Sequence, residues 1–190
     1  MNYLAHILLS GKNGQIQVGN FIGDAVKGRS YENYPAHIRQ GILLHRSIDD
    51  FADHHADVKQ AVALAKVKFG RYAGVMTDMF FDYLLARNFR QYSGISLRYF
   101  TFRFYLSLVR NYFYLPVRIK RFVWHFILTD RLNRYASLRG LKQSLRIMAE
   151  YKKLPVDPEE AIVFFTEHER QLEKLFAHFF PEIWKFCREQ

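Results

Sequence analysis

Residues 97–109, LRYFTFRFYLSLV, admit two readings, and the fold class turns on the choice. Apolar residues at 100, 102, 104, 106 and 108 alternate with the period of a strand. The same stretch puts Leu97, Phe100, Phe104 and Leu108 along one side of a helix. No partner strand is evident elsewhere in the chain, and an isolated strand is not stable in water. The stretch is therefore read as helix, and the chain as all-α: a single compact helical bundle over residues 1–190.

The neighbouring segments agree. PAHIRQGILLHRSIDDFAD opens with Pro35, which suits a first helical position. DVKQAVALAKVKF follows, with Asp57 as its expected cap. RYAGVMTDMFFDYLLARNF is a helix with almost no polar side. DPEEAIVFFTEHERQLEKLFAHFF begins with Asp157 as cap, Pro158 in the first turn and Glu160 completing a capping box. Pro181 is expected to end or bend that helix.

With 49% hydrophobic and 24% charged residues, the chain is ordered and globular. Cys187 is the one cysteine, which excludes an intramolecular disulfide and a cysteine-rich zinc site. It fits a reducing cytoplasm, where the protein is expected. No apolar run reaches the roughly 18 residues of a membrane span. The net charge of +10 suits nucleic acid, an anionic membrane surface or an acidic protein as partner. The basic and aromatic stretch from Arg98 to Arg121 resembles a single-strand binding surface. It is read more simply as core aromatics with a solvated arginine face, so no nucleic acid partner is expected.

Polar residues four apart share a helix face. His45 and Asp49 flank the stripe of Leu44, Ile48 and Phe51, with Asp53 extending their row. Asp50 and His54 point to the solvated side. Asp78 and Asp82 are also four apart, on a helix whose other positions are nearly all apolar. Asn20 and Asp24 repeat the spacing beside Phe21 and Ile22, and His6 lies in the apolar run YLAHILL. A buried carboxylate is paired, protonated or bound to a metal. Two readings stay open: a buried Arg–Asp network, or a histidine–carboxylate centre for magnesium or manganese.

These stretches carry a resemblance. MNYLAH, GNFIGDAVKG, GILLHRSIDDFAD, TDMFFDYLLARNF and FFPEIWKF occur in an order that resembles the acyl carrier protein phosphodiesterases, also called acyl carrier protein hydrolases. That family resembles a divergent all-helical HD-type phosphohydrolase. The resemblance implies hydrolysis of the phosphodiester joining 4′-phosphopantetheine to a serine of acyl carrier protein, within lipid metabolism and fatty acid biosynthesis. It implies a divalent metal, Mn²⁺ usually and Mg²⁺ as the other choice.

Carried onto this chain, it implies metal ligation by Asp24, His45, Asp49, Asp78 and Asp82. It implies catalytic roles for His45, Asp49 and Arg46, and substrate contacts by His6, Asn20 and Lys27. The acidic carrier would dock on Lys27, Arg29, Arg46 and the basic residues of Arg103 to Arg121. The chain departs from the family at Tyr83, where the family carries His. It departs again at Ala52, where Thr is frequent, and at Tyr151 and Lys152, where an arginine is frequent. The imidazole missing at Tyr83 is expected to slow the enzyme, since a phenol is a poor ligand and a poor base near pH 7. Alternatives are an HD-type hydrolase of another phosphoester, or a catalytically weak relative that still binds the carrier.

Overall fold

The computed structural model describes residues 2–152 and 155–189, with backbone alone at 151 and 152. Among the described residues every regular element is helical: α1 (Tyr3–Leu9), α2 (Gly14–Ile22), α3 (Ala36–His54), α4 (Ala56–Phe69), α5 (Ala73–Arg87), α6 (Phe89–Ser93), α7 (Leu97–Arg110), α8 (Val117–Leu128), α9 (Arg131–Arg134), α10 (Leu138–Lys152) and α11 (Pro158–Arg188). The ambiguous stretch is α7. Ser96 caps it by accepting a hydrogen bond from the Tyr99 N–H. Phe100, Phe104 and Leu108 are buried, while Phe102 and Leu106, which strand alternation would have placed with them, face outward.

The helix ends follow local chemistry, with three differences from expectation. His55, not Asp57, caps α4, its Nδ1 accepting from the Asp57 N–H. Asp57 lies in the first turn and pairs with His178 across 2.6 Å. Asp157 caps α11 by accepting from the Glu159 N–H, but Glu160 turns away from the cap to pair with Lys68. Pro181 does not end α11, which continues to Arg188. Phe179, Phe180 and Ile183, buried on either side of Pro181, hold the helix in place. Each such apolar side chain contributes about 1.5–3 kcal/mol by burial, comparable with the cost of an interior proline.

Two glycines set a close approach between α2 and α3. A Cβ on Gly19 of α2 would lie 2.1 Å from the Ile38 carbonyl oxygen of α3. One on Gly41 of α3 would lie 2.1 Å from the Ile16 carbonyl oxygen. The α2 and α3 backbones therefore meet without intervening side chains, and only glycine fits at either position. Helix α5 is buried nearly all round, packing against α1, α4, α10 and α11. The facing sides of α1, α2, α3 and α5 form the site. No helix among the described residues is long and apolar enough to cross a membrane.

Candidate metal centre

His6 of α1, His45 and Asp49 of α3, and Asp24 of the short turn after α2 come together. His6 Nε2 lies 3.1 Å from Asp49 Oδ1. His45 Nε2 lies 3.1 Å from Asp49 Oδ2 and 3.6 Å from Asp24 Oδ1. The two imidazoles stack with centroids 4.2 Å apart. Gly23 makes the room: a Cβ there would lie 2.3 Å from His45 Cγ. His45 and Asp49 share a face because they are one helical turn apart.

A chain of hydrogen bonds fixes the tautomer of His45. The Ser10 hydroxyl donates its one proton to the His6 carbonyl. It must therefore accept from Asn20 Nδ2, at 2.8 Å. That leaves Asn20 Oδ1 as the acceptor for His45 Nδ1, at 3.1 Å. With Nδ1 carrying the proton, the lone pair of neutral His45 sits on Nε2 and faces Asp49 and Asp24. Asn20 is fully buried, and its amide oxygen orients the His45 ring.

The electrostatics divide the two histidines. Burial pushes His6 down to about 4, against the pull of Asp49, so it is neutral near pH 7. Burial also disfavours charge on His45, but the carboxylates of Asp24 and Asp49 outweigh it and push it up to about 9. Burial would raise Asp49, yet its contacts with His45 and His6 bring it well below the usual carboxylate range. The imidazole beside Asp24 lowers it too.

This donor set fits a divalent cation. One ligand atom from each of His6, His45 and Asp49 lies within 4.8 Å of the others. His45 Nε2 is buried and makes no hydrogen bond of good geometry despite its two carboxylate neighbours. An imidazole–carboxylate set without thiolate suits manganese and its first-row neighbours. The other ring nitrogen of His45, Nδ1, is held by the Asn20 amide oxygen, in the way a second hydrogen bond orients a metal-bound histidine.

The remaining candidates separate. Asp78 is half-buried on α5 and lines the same cleft, and burial raises its carboxyl above the usual range. Asp82 does not join the ligands. Its Oδ2 accepts from the Leu4 N–H at 2.9 Å and its Oδ1 from the Ala5 N–H at 3.1 Å, so both oxygens cap the first turn of α1. Arg46 turns outward and donates to the carbonyls of Val26 and Gly28, under the ring of Tyr31. It clamps the loop that follows Asp24 and does not line the cleft. Lys27 is exposed on that loop and is not among the residues lining the cleft, and Arg29 pairs with Glu32. Asp50, Asp53 and His54 are exposed.

Tyr83 is buried against Phe165 of α11, its hydroxyl 3.4 Å from the Arg87 guanidinium. A side chain at this position faces α11 rather than His45. The side chains of Tyr151 and Lys152 lie outside the described residues.

The cleft has a volume of about 490 Å³. Its lining includes His6, Asp24, His45 and Asp78 together with Arg118, Arg121 and His125 of α8 and Arg131 of α9. Residues 83–129 contain no Asp or Glu, so the α8 part of the lining is cationic. Arg118 and Arg121 fall within the basic stretch marked for docking, whereas His125 and Arg131 do not. Sequence reasoning also passed over Ser10 and the three glycines. Glycine inside a helix costs about 0.5–1 kcal/mol relative to alanine, so Gly19, Gly23 and Gly41 near the polar pairs were the available signal.

Residues 1–183 match the family model described as acyl carrier protein phosphodiesterase. A protein of that name from Klebsiella pneumoniae is 28% identical over 194 residues, covering 100% of this chain and 99% of its own. One from Pectobacterium atrosepticum is 27% identical over 191 residues, covering 100% and 99%. One from Yersinia pestis is 26% identical over 186 residues, covering 97% and 96%. No solved structure matches the chain.

Proposed function

We propose that this chain, which belongs to the acyl carrier protein phosphodiesterase family, is a metal-dependent phosphodiester hydrolase that removes 4′-phosphopantetheine from the holo carrier. The observation that carries the reading is the meeting of His6, His45 and Asp49, with both histidines lining a cleft that Arg118, Arg121 and Arg131 also line. His6, His45 and Asp49, with Asp24 beside them, would hold the cation. When bound, a divalent cation supplies Lewis acidity to a phosphoryl oxygen and acidity to a water molecule.

The chain's own groups do the rest. Arg118, Arg121 and Arg131 meet the phosphodiester's negative charge and the extra charge that develops as phosphorus is attacked. Hydrolysis breaks the bond between phosphorus and the serine oxygen, and that oxygen must gain a proton to leave. Asp78 keeps its proton more readily than an exposed carboxyl and lines the cleft. We assign it that donation. Asn20 and Asp82 touch nothing that reacts: Asn20 sets the His45 ring, and Asp82 fixes the helix that carries His6. The basic α8 surface steers the acidic carrier toward the cleft.

Incubating the protein with manganese and holo carrier, then weighing the carrier by mass spectrometry, tests the reading. Loss of the phosphopantetheine group, abolished by a chelator and restored by manganese, is expected. An unchanged carrier beside rapid turnover of a simple phosphodiester would favour another substrate.

A further inference from the structure

Helix α1 presents its N-terminal half to the metal cleft and its C-terminal end to a second pocket of about 720 Å³. The two share no lining residue. Side chains from three parts of the chain surround the second pocket: Lys12 after α1, Arg103 and Arg110 of α7, and Arg188 at the end of α11. No Asp or Glu is among the lining residues. None of the four cations forms an ion pair among the described residues.

Two of the cations are held without being neutralised. The Arg103 guanidinium sits over the Tyr99 ring at 5.8 Å, and that of Arg188 over Trp184 at 5.3 Å. A cation–π contact restrains the side chain but leaves its charge available. Four like charges around one pocket repel one another, and an anion among them relieves that repulsion. Leu8, Leu9, Phe100 and Leu106 supply an apolar floor. The volume lies within the range of small-molecule sites.

We propose that this pocket binds a small organic phosphate. Its phosphate oxygens lie among Arg103, Arg110, Arg188 and Lys12, and its carbon body lies on the apolar floor. A phosphate suits this better than a single carboxylate, because it accepts from several guanidinium groups at once. An inorganic phosphate would leave the floor uncovered. The site is independent of the metal centre and of the activity proposed above.

Calorimetric titration of the whole protein, with chelator present to silence the metal centre, tests this directly. The probes are ATP for a ring-bearing phosphate, octyl phosphate for an aliphatic one and pyrophosphate for charge alone. ATP or octyl phosphate should bind one per chain, about tenfold or more tighter than pyrophosphate, and the tighter of the two identifies the body. Arg103→Ala and Arg188→Ala should each weaken that probe about tenfold, the loss of a charge-assisted hydrogen bond. Arg103→Lys should recover part of it. Both arginines are exposed, and unchanged circular dichroism will show the variants folded. Pyrophosphate binding as tightly as either organic probe, no stoichiometric binding, or alanine variants that bind like wild type would each overturn the proposal.

Discussion

Asn20 accepts a hydrogen bond from His45 Nδ1 across 3.1 Å, although the two residues lie 25 positions apart on different helices. That bond turns the other ring nitrogen toward Asp49 and Asp24. Replacing Asn20 by Ala removes the acceptor and leaves the buried Nδ1–H unsatisfied. Manganese affinity should fall about 10–100-fold, the usual cost of losing such a partner. Asn20→Asp keeps an acceptor and should bind manganese more nearly like wild type. Calorimetry on both variants checks the order.

His45 is pushed up to about 9 by its carboxylate neighbours, so without metal it carries a proton at pH 7–8. A cation must displace that proton. Manganese affinity should therefore rise with pH, by close to tenfold per unit, and level off above about 9. Titrating in buffers of different ionisation enthalpy should show about one proton released per ion at pH 7.5. No release would mean that His45 does not ligate.

Asp82 accepts both the Leu4 and Ala5 N–H groups. Asp82→Ala leaves two buried donors without partners and should cost about 1–3 kcal/mol for each unsatisfied group. Burial raises the Asp82 carboxyl to about 7 in the folded protein. The folded form thus holds more protons than the unfolded one between about 4 and 7, and this group's contribution to stability falls as pH rises through that window. Asp82→Asn cannot titrate, so its melting temperature should vary less across the same window than that of wild type.

Tyr83 packs on Phe165 at a centroid distance of 5.0 Å and accepts from Arg87. Tyr83→His should bring no gain in hydrolysis and should lower stability by about 1–3 kcal/mol, as expected for loss of buried aromatic packing. This reverses the expectation drawn from the family's histidine. Initial rates and melting curves of the two proteins, compared in manganese, decide it: a clearly faster variant would return Tyr83 to the chemistry.

Arg121 lines the cleft and is exposed on α8, in the stretch without acidic residues. Arg121→Glu should slow association with an acidic carrier, and raising the salt concentration should shrink the difference from wild type. Stopped-flow binding at two ionic strengths checks this.

The sequence was legible where one physical rule decided the outcome. Apolar spacing at Phe100, Phe104 and Leu108 identified α7, and spacing by four joined His45 to Asp49. It failed where the partner lay far along the chain. Asp78 and Asp82 share a helix and a spacing, yet one lines a cleft and the other caps α1, because only three-dimensional packing brings Leu4 and Ala5 to Asp82. Arg46 sits beside His45 in sequence but points the other way round α3, to the carbonyls of Val26 and Gly28. His6, read as a substrate contact, stands among the candidate ligands because α1, packed on α2 and α5, brings its ring to Asp49 of α3.

Paramagnetic resonance of Mn²⁺ bound to the protein tests the central claim most directly. The account predicts one tightly bound ion per chain, with nitrogen couplings from two imidazoles in wild type. His6→Ala and His45→Ala should each lose one of them, and Asp49→Asn should weaken binding severely. A bound ion without nitrogen coupling, or spectra and affinity unchanged by all three substitutions, would contradict it.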